Sequence, residues 1–254
     1  MALKGLPGAG TIKKRGLARK EDDDYESLAY FDFFNRFRSP SGIVKQRQLP
    51  FIKYFLGCGN VLSIGCGRGE FLELLRAQGI ACTGIDVDDK MVEYCKKRGL
   101  NVLKADALSY LRGLDNESLD GIFTDDLVEH LETAYLFRML RLCYRKLKPG
   151  RYLVNVTLNP LSWATYAGIY LLDPTHKRPI HPETMRFFLD SSGFNDVDIE
   201  FISSKSGSDR LKRIEITPEM GEEAREIARI NNRNVDMLNV SIYGPENYAA
   251  IAKK

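Results

Sequence analysis

A short apolar run, Val61-Leu62-Ser63-Ile64, ends in Gly65-Cys66-Gly67-Arg68-Gly69 and passes at Glu70 into a stretch where Phe71, Leu72, Leu74 and Leu75 recur at helical spacing. Few folds accommodate a strand that turns through three glycines straight into a helix. Glycine lets the backbone turn tightly and approach a ligand closely, and the helix must pack back on the sheet its strand belongs to. The alternation repeats downstream. Strands are predicted at Ala81–Ile85, Val102–Ala105, Gly121–Thr124, Tyr152–Val156, Val197–Ile202 and Tyr248–Ala252, with helices at Glu70–Gln78, Asp89–Arg98, Ala134–Leu147 and Pro182–Leu189. This is the pattern of a mostly parallel, seven-stranded sheet with helices on both faces.

The second predicted strand ends beside Asp86, 21 residues after Gly65. A carboxylate there can accept hydrogen bonds from both hydroxyls of a ribose, so the glycine loop reads as the cradle of an adenosine-type cofactor. A dinucleotide site would place its pyrophosphate on the helix N-terminus. Here Glu70 occupies the sixth position of the motif. Its charge would repel pyrophosphate and suits a cation, such as the ammonium group of S-adenosylmethionine. An NAD-dependent oxidoreductase is the rival that Glu70 disfavours.

Residues 60 to 156 resemble the class I S-adenosylmethionine-dependent methyltransferases. Val61 to Phe71 is similar to the family's first motif, Gly84-Ile85-Asp86-Val87-Asp88 to its acidic second strand, Lys104-Ala105-Asp106-Ala107 to its third motif, and Leu147-Lys148-Pro149-Gly150-Arg151 to the turn before the fifth strand. The resemblance implies a Rossmann-like fold. It also implies that Asp106 meets the adenine amino group and that Val87 and Ala107 line the adenine slot, beside a loop of Gly65, Cys66, Gly67, Gly69 and Glu70. A narrower resemblance links Phe34 to Ser39, Ile43 to Arg47, Asp173 to Pro179 and Tyr243 to Ala249 with prokaryotic methyltransferases associated with polysaccharide and O-antigen assembly. By the same analogy Arg38 reaches the cofactor's carboxylate.

All three histidines fall at carboxyl ends of predicted strands, where open α/β sheets bind ligands: His130 after the fourth, His176 and His181 after the fifth. They are the candidate catalytic residues. An imidazole suits the role of base toward a hydroxyl acceptor at neutral pH, while His176, Lys177, Arg178 and His181 could clamp a phosphate. Asp126-Leu127-Val128-Glu129-His130 resembles the ExxEH metal motif of ubiquinone and small-RNA methyltransferases, with Asp for the first Glu. A divalent ion such as Mg²⁺ on Asp126, Glu129 and His130 is an alternative left open and not the expectation. Trp163, Tyr166 and Tyr170 lie in a segment without clear period, 157–182, read as a substrate-side loop that either packs as a lid or meets an aromatic or lipid-linked acceptor.

The first 24 residues carry glycines, a basic cluster and an acidic run, and are expected to be a disordered tail; a helical cap is expected over 25–57, and the methyltransferase domain over 58–254 with an insertion at 203–239. A net charge of +3 in 254 residues argues against nucleic acid as the main partner. Five cysteines without CxxC spacing read as apolar fillers in a reducing cytoplasm. No apolar run approaches the roughly 20 residues of a membrane span. The expectation is therefore a cytoplasmic methyltransferase acting on oxygen of a glycan, sugar or sugar phosphate. The alternatives are a quinone-like or other small-molecule acceptor, RNA, or a scaffold that binds the cofactor without turnover. Oligomeric state is not set by the sequence.

Overall fold

The computed structural model describes residues 30–202 and 210–254. The expected tail at 1–24 lies outside them, as does 203–209 of the expected insertion. The chain divides into two units at 37/38, inside the expected cap. In the first unit the described part is helix α1, residues 30–37. There Tyr30 pairs with Phe34 and Phe33 with Phe37, ring centroids 6.1 and 4.8 Å apart, because residues four apart share a helix face.

The second unit opens with α2 (Ser41–Gln48), which runs into a 3₁₀ turn at Leu49–Phe55 where Pro50 stands at the start. A sheet follows with the order β3-β2-β1-β4-β5-β7-β6, built from β1 (Val61–Ile64), β2 (Cys82–Asp86), β3 (Val102–Lys104), β4 (Leu119–Asp125), β5 (Leu147–Leu158), β6 (Asp196–Ile202) and β7 (Asn247–Lys253). β1 to β5 are parallel, and β7 inserts antiparallel between β5 and β6. Each of the seven expected strands is present. The connecting helices are α3 (Glu70–Ala77), α4 (Asp89–Lys97), α5 (Ala107–Gly113), α6 (Thr133–Lys146), α8 (Pro182–Asp190) and α9 (Glu222–Ile242). Between β5 and α8 the expected loop instead forms a short helix, α7 (Trp163–Thr165), continued by a π turn at Tyr166–Tyr170.

Helix α5 has no counterpart in the sequence reading. It is one short amphipathic turn, burying Ala107, Leu108 and Leu111, and Asp106 starts it by accepting the Ser109 N–H at 2.9 Å. That Asp-to-Ser spacing is the signal that could have found it.

Two apolar layers flank the sheet. Leu136, Met139, Leu140 and Cys143 of α6 join Met185 and Leu189 of α8 on one side. On the other, Phe51, Ile52 and Phe55 of the 3₁₀ turn pack with Phe71 and Phe123. Phe71 stacks on Phe123 at 3.5 Å, and Phe55 meets both rings edge-on. Gly121 makes this possible, since a Cβ there would lie 2.5 Å from Phe55 Cδ1. Gly121→Ala is expected to destabilise the protein by about 1–3 kcal/mol, read as a lower denaturant midpoint at unchanged slope.

Candidate active site

The carboxyl end of β1 feeds the glycine loop. Gly65 and Cys66 both donate to Ile85 O, at 2.9 and 3.1 Å, which ties the loop to β2. Gly65, Gly67 and Gly69 all take positive φ, at 64°, 51° and 77°. A Cβ on Gly65 would sit 2.9 Å from Leu127 Cδ1, so the turn admits only glycine without strain. Asp86 closes the loop from β2: its Oδ2 accepts the Gly67 N–H at 2.9 Å and its Oδ1 the Asp88 N–H at 3.0 Å. Burial raises its carboxyl above the usual range, against those hydrogen bonds. Glu70 is buried and pairs with Arg68 Nε at 2.7 Å. Beyond β3, Asp106 caps α5 and accepts the Tyr135 hydroxyl. Val87, just after Asp86, is 66% exposed, and Ala107, just after Asp106, is buried.

At the end of β4 the chain meets two arginines from the α2 side. Arg38 donates to Asp126 at 2.6 Å and Asp125 at 3.0 Å. Arg47 reaches both oxygens of Asp125 at 2.7 and 2.8 Å, Asp126 at 2.9 Å and Asn247 Oδ1 at 3.2 Å. Gln48 adds a bond to Asp125 at 2.7 Å. Burial works against the charge on Asp126, yet Arg47 and then Arg38 bring its carboxyl down to about 2. Burial has the upper hand at Asp125, which rises despite Arg47 and Arg38. Asp126 also carries φ of +49°, a left-handed turn that steers the chain out of the sheet.

That turn leads to a 3₁₀ segment, Val128–His130. The Glu129 carbonyl accepts the N–H groups of Lys177 and Arg178, at 2.9 and 3.4 Å, which fastens the segment to the chain after α7. His130 and His176 are thereby set ring to ring, centroids 4.6 Å apart. His176 stacks on Tyr170 at 4.7 Å, and Tyr170 on Tyr166 at 5.4 Å. His130 Nδ1 lies 2.9 Å from Thr175 Oγ1, and His176 Nδ1 lies 2.7 Å from Tyr170 O. Burial first and then the neighbouring His176 hold His130 down at about 4, so its ring is neutral at neutral pH. The Glu129 carboxyl is 1% exposed, and neither oxygen makes a hydrogen bond among the described residues. Burial, with Asp126 adding, pushes it up to about 8.

Residues 62–155 match a family model described as a methyltransferase domain. The crystal structure of an S-adenosylmethionine-dependent methyltransferase from Archaeoglobus fulgidus superposes with a TM-score of 0.82 at 43% sequence identity, covering 89% of this chain and 99% of that one. The chain belongs to the S-adenosylmethionine-dependent methyltransferases. It is an enzyme, with S-adenosylmethionine as its cofactor. It is also 28% identical over 203 residues, 86% of the relative's length, to a protein of Coxiella burnetii named ubiquinone biosynthesis O-methyltransferase. A possible histamine N-methyltransferase from Thermotoga maritima, 20% identical with a TM-score of 0.57, shares the fold.

In this methyltransferase the loop from Gly65 to Glu70, Asp86, Val87, Asp106 and Ala107 all border the carboxyl ends of β1, β2 and β3. Arg38, expected at the cofactor's carboxylate, binds Asp125 and Asp126. Of the three histidines the fold brings two together. His181 is elsewhere: it caps α8, its Nδ1 accepting the Glu183 N–H at 3.2 Å. The expected phosphate clamp is not assembled, because Lys177 pairs with Glu132 at 2.9 Å and Arg178 lies over the Phe188 ring. Nor do Asp126, Glu129 and His130 fit an ion as a set, since two arginines already neutralise Asp126. Among the described residues, the three-residue group with ligand atoms within 4.8 Å of one another is His130, Asp173 and His176. No helix among the described residues is long and apolar enough to cross a membrane.

Sequence reading missed Arg47, Gln48 and Asp125. The Asp125-Asp126 doublet after an apolar strand was the available signal, but its partners are 77 to 88 residues away. Arg47→Ala leaves a buried carboxylate short of its cation and is expected to cost about 3–5 kcal/mol of stability, measured by chemical denaturation.

Proposed function

We propose that this enzyme methylates a hydroxyl oxygen of a small aromatic acceptor of the catechol or quinol type. The observation that carries the reading is the tilted His130–His176 ring pair at the end of a ladder of stacked rings, Tyr166, Tyr170 and His176. A flat aromatic acceptor finds stacking partners there and an imidazole beside its hydroxyl. The Coxiella burnetii relative, with its printed part in ubiquinone biosynthesis, points to the same class of acceptor. The sugar or sugar-phosphate reading has less behind it, because Lys177, Arg178 and His181 each have another engagement.

Bound S-adenosylmethionine supplies a methyl group on a sulfonium, which becomes a neutral thioether on transfer. The chain's own residues hold and orient the two reactants. The positive-φ backbone of Gly65, Gly67 and Gly69, with Cys66 between them, gives the donor room to lie close. Asp86 keeps a lone pair on each oxygen beyond its bonds to Gly67 and Asp88, sufficient to accept from two ribose hydroxyls. Asp106 has the same reserve for the adenine amino group, with Val87 and Ala107 against the ring. Glu70 offers a buried carboxylate for the ammonium group, shared with Arg68. His130 accepts the proton of the acceptor hydroxyl as its oxygen bonds to the methyl carbon.

Two measurements test this. Asp86→Ala is expected to weaken calorimetric binding of S-adenosylhomocysteine at least tenfold, about 1.4 kcal/mol, while NAD binds neither protein. A screen of catechols and quinols against sugars and sugar phosphates is expected to give turnover on the aromatic hydroxyls, with His130→Ala lowering kcat about 10²-fold or more. Turnover on sugars alone, or full activity in His130→Ala, sinks the reading.

A further inference from the structure

The segment between α7 and α8 does more than close over the ring pair. Asp173 Oδ1 accepts two hydrogen bonds from Thr175, from its N–H at 2.8 Å and from its hydroxyl at 2.6 Å. Thr175 has a single hydroxyl proton, and an ionised carboxylate can only accept. The proton of Thr175 therefore points to Asp173. The 2.9 Å approach of His130 Nδ1 to the same hydroxyl oxygen is then met by a proton on Nδ1, which His130 donates to Thr175. The basic nitrogen is Nε2. The His176 ring is fixed in the same sense, because the Tyr170 carbonyl at 2.7 Å accepts only from an Nδ1–H.

We propose that Asp173 and Thr175 form a positioning relay for His130, Asp173–Thr175–His130, with a hydroxyl inserted where a base and its carboxylate would ordinarily touch. The proposal rests on the reading of His130 as acceptor of the hydroxyl proton, and deepens it. The relay does two things for the reaction. It locks the tautomer that presents Nε2, so that no fraction of the enzyme waits in the wrong protonation pattern. It also supports the imidazolium formed when Nε2 takes the proton: the Nδ1–H bond to Thr175 strengthens, and the Thr175 bond to Asp173 with it. No proton leaves Nδ1, Thr175 or Asp173. The proton taken from the acceptor stays on Nε2 until solvent removes it after the product leaves.

The relay also explains the sequence order Asp173-Pro174-Thr175-His176. Pro174 fixes a turn in which the carboxylate reaches back to the residue two positions on, and the next residue enters the ring stack. One tetrapeptide thus orients both histidines, although His130 comes from the other side of the site.

The test compares wild type with Thr175→Val, Thr175→Ser, Asp173→Asn and His130→Ala. Catechol serves as acceptor in steady-state kinetics, and ¹⁵N NMR of the histidine rings is recorded on full-length protein with S-adenosylhomocysteine. The expected result is a kcat lowered about tenfold to hundredfold in Thr175→Val and Asp173→Asn, at unchanged KM for both substrates, with Thr175→Ser restoring the rate. The NMR spectrum is expected to give the Nδ1–H form of His130 in wild type and Thr175→Ser, and a mixture of tautomers in Thr175→Val. A Thr175→Val protein that keeps wild-type kcat, or keeps the Nδ1–H form undivided, overturns the relay. So does a rate that chelation abolishes and Mn²⁺ restores equally in wild type and Thr175→Val, which would assign His130, Asp173 and His176 to an ion. The NMR arm decides even if catechol is not turned over. Full activity in His130→Ala, by contrast, brings down the proposed proton acceptor itself.

Discussion

Two arginines meet two aspartates at the carboxyl end of β4, and the geometry on either side depends on that meeting. Asp125 is buried and Asp126 half-buried, and Arg38 and Arg47 supply the positive charge that two carboxyls so placed need. The cluster fixes the point where the chain leaves the sheet. It holds Asp126 in a left-handed turn that a free aspartate seldom adopts, and it joins α2 to β4 and, through Asn247, to β7. The turn in turn points Val128–His130 across the top of the sheet, and Leu127 against Gly65 of the glycine loop. The four-residue ionic cluster thereby sets the spacing between the glycine loop and the 3₁₀ segment that carries His130.

The region of His130 and His176 is organised by backbone as much as by side chains. The carbonyl of Glu129 holds the N–H groups of Lys177 and Arg178, so the segment carrying His176 cannot drift from the segment carrying His130. Within that frame the π turn at Tyr166–Tyr170 brings successive rings into a stack, a local widening of the helix that often accompanies functional sites. Trp163 remains 63% exposed at the outer end of the same segment. The donor end is simpler. Its shape follows from three glycines at positive φ and one carboxylate, Asp86, that the fold folds back onto the loop.

The strands were readable because most of them carry a short apolar run bounded by glycine, proline or charge, and the mostly parallel sheet follows from the alternation with helices. Gly65 to Glu70, Asp86 and Asp106 stood out for the same reason, as local features within some forty residues of one another. Where the reading departed from the structure, the cause was distance or competition. Arg38 was assigned to the cofactor by analogy, but two aspartates nearly ninety positions away compete for it. His181 was grouped with His176 because they are close in sequence, yet a proline at the start of α8 makes His181 a helix cap. Thr175 stands within the Asp173–Pro179 stretch but carries no role there by sequence, since a threonine in a polar loop looks the same whether or not an imidazole is beside it.

By itself the amino-acid sequence determined the sheet, its helices and the glycine-loop chemistry of a methyl donor, because strand length, turn residues and helix starts are all local properties. Tertiary structure alone decided which histidines meet, which cations are already paired, and which hydroxyl orients His130. Those outcomes depend on residues 45 to 88 positions apart, and a chain expresses such pairings only once its strands have settled side by side.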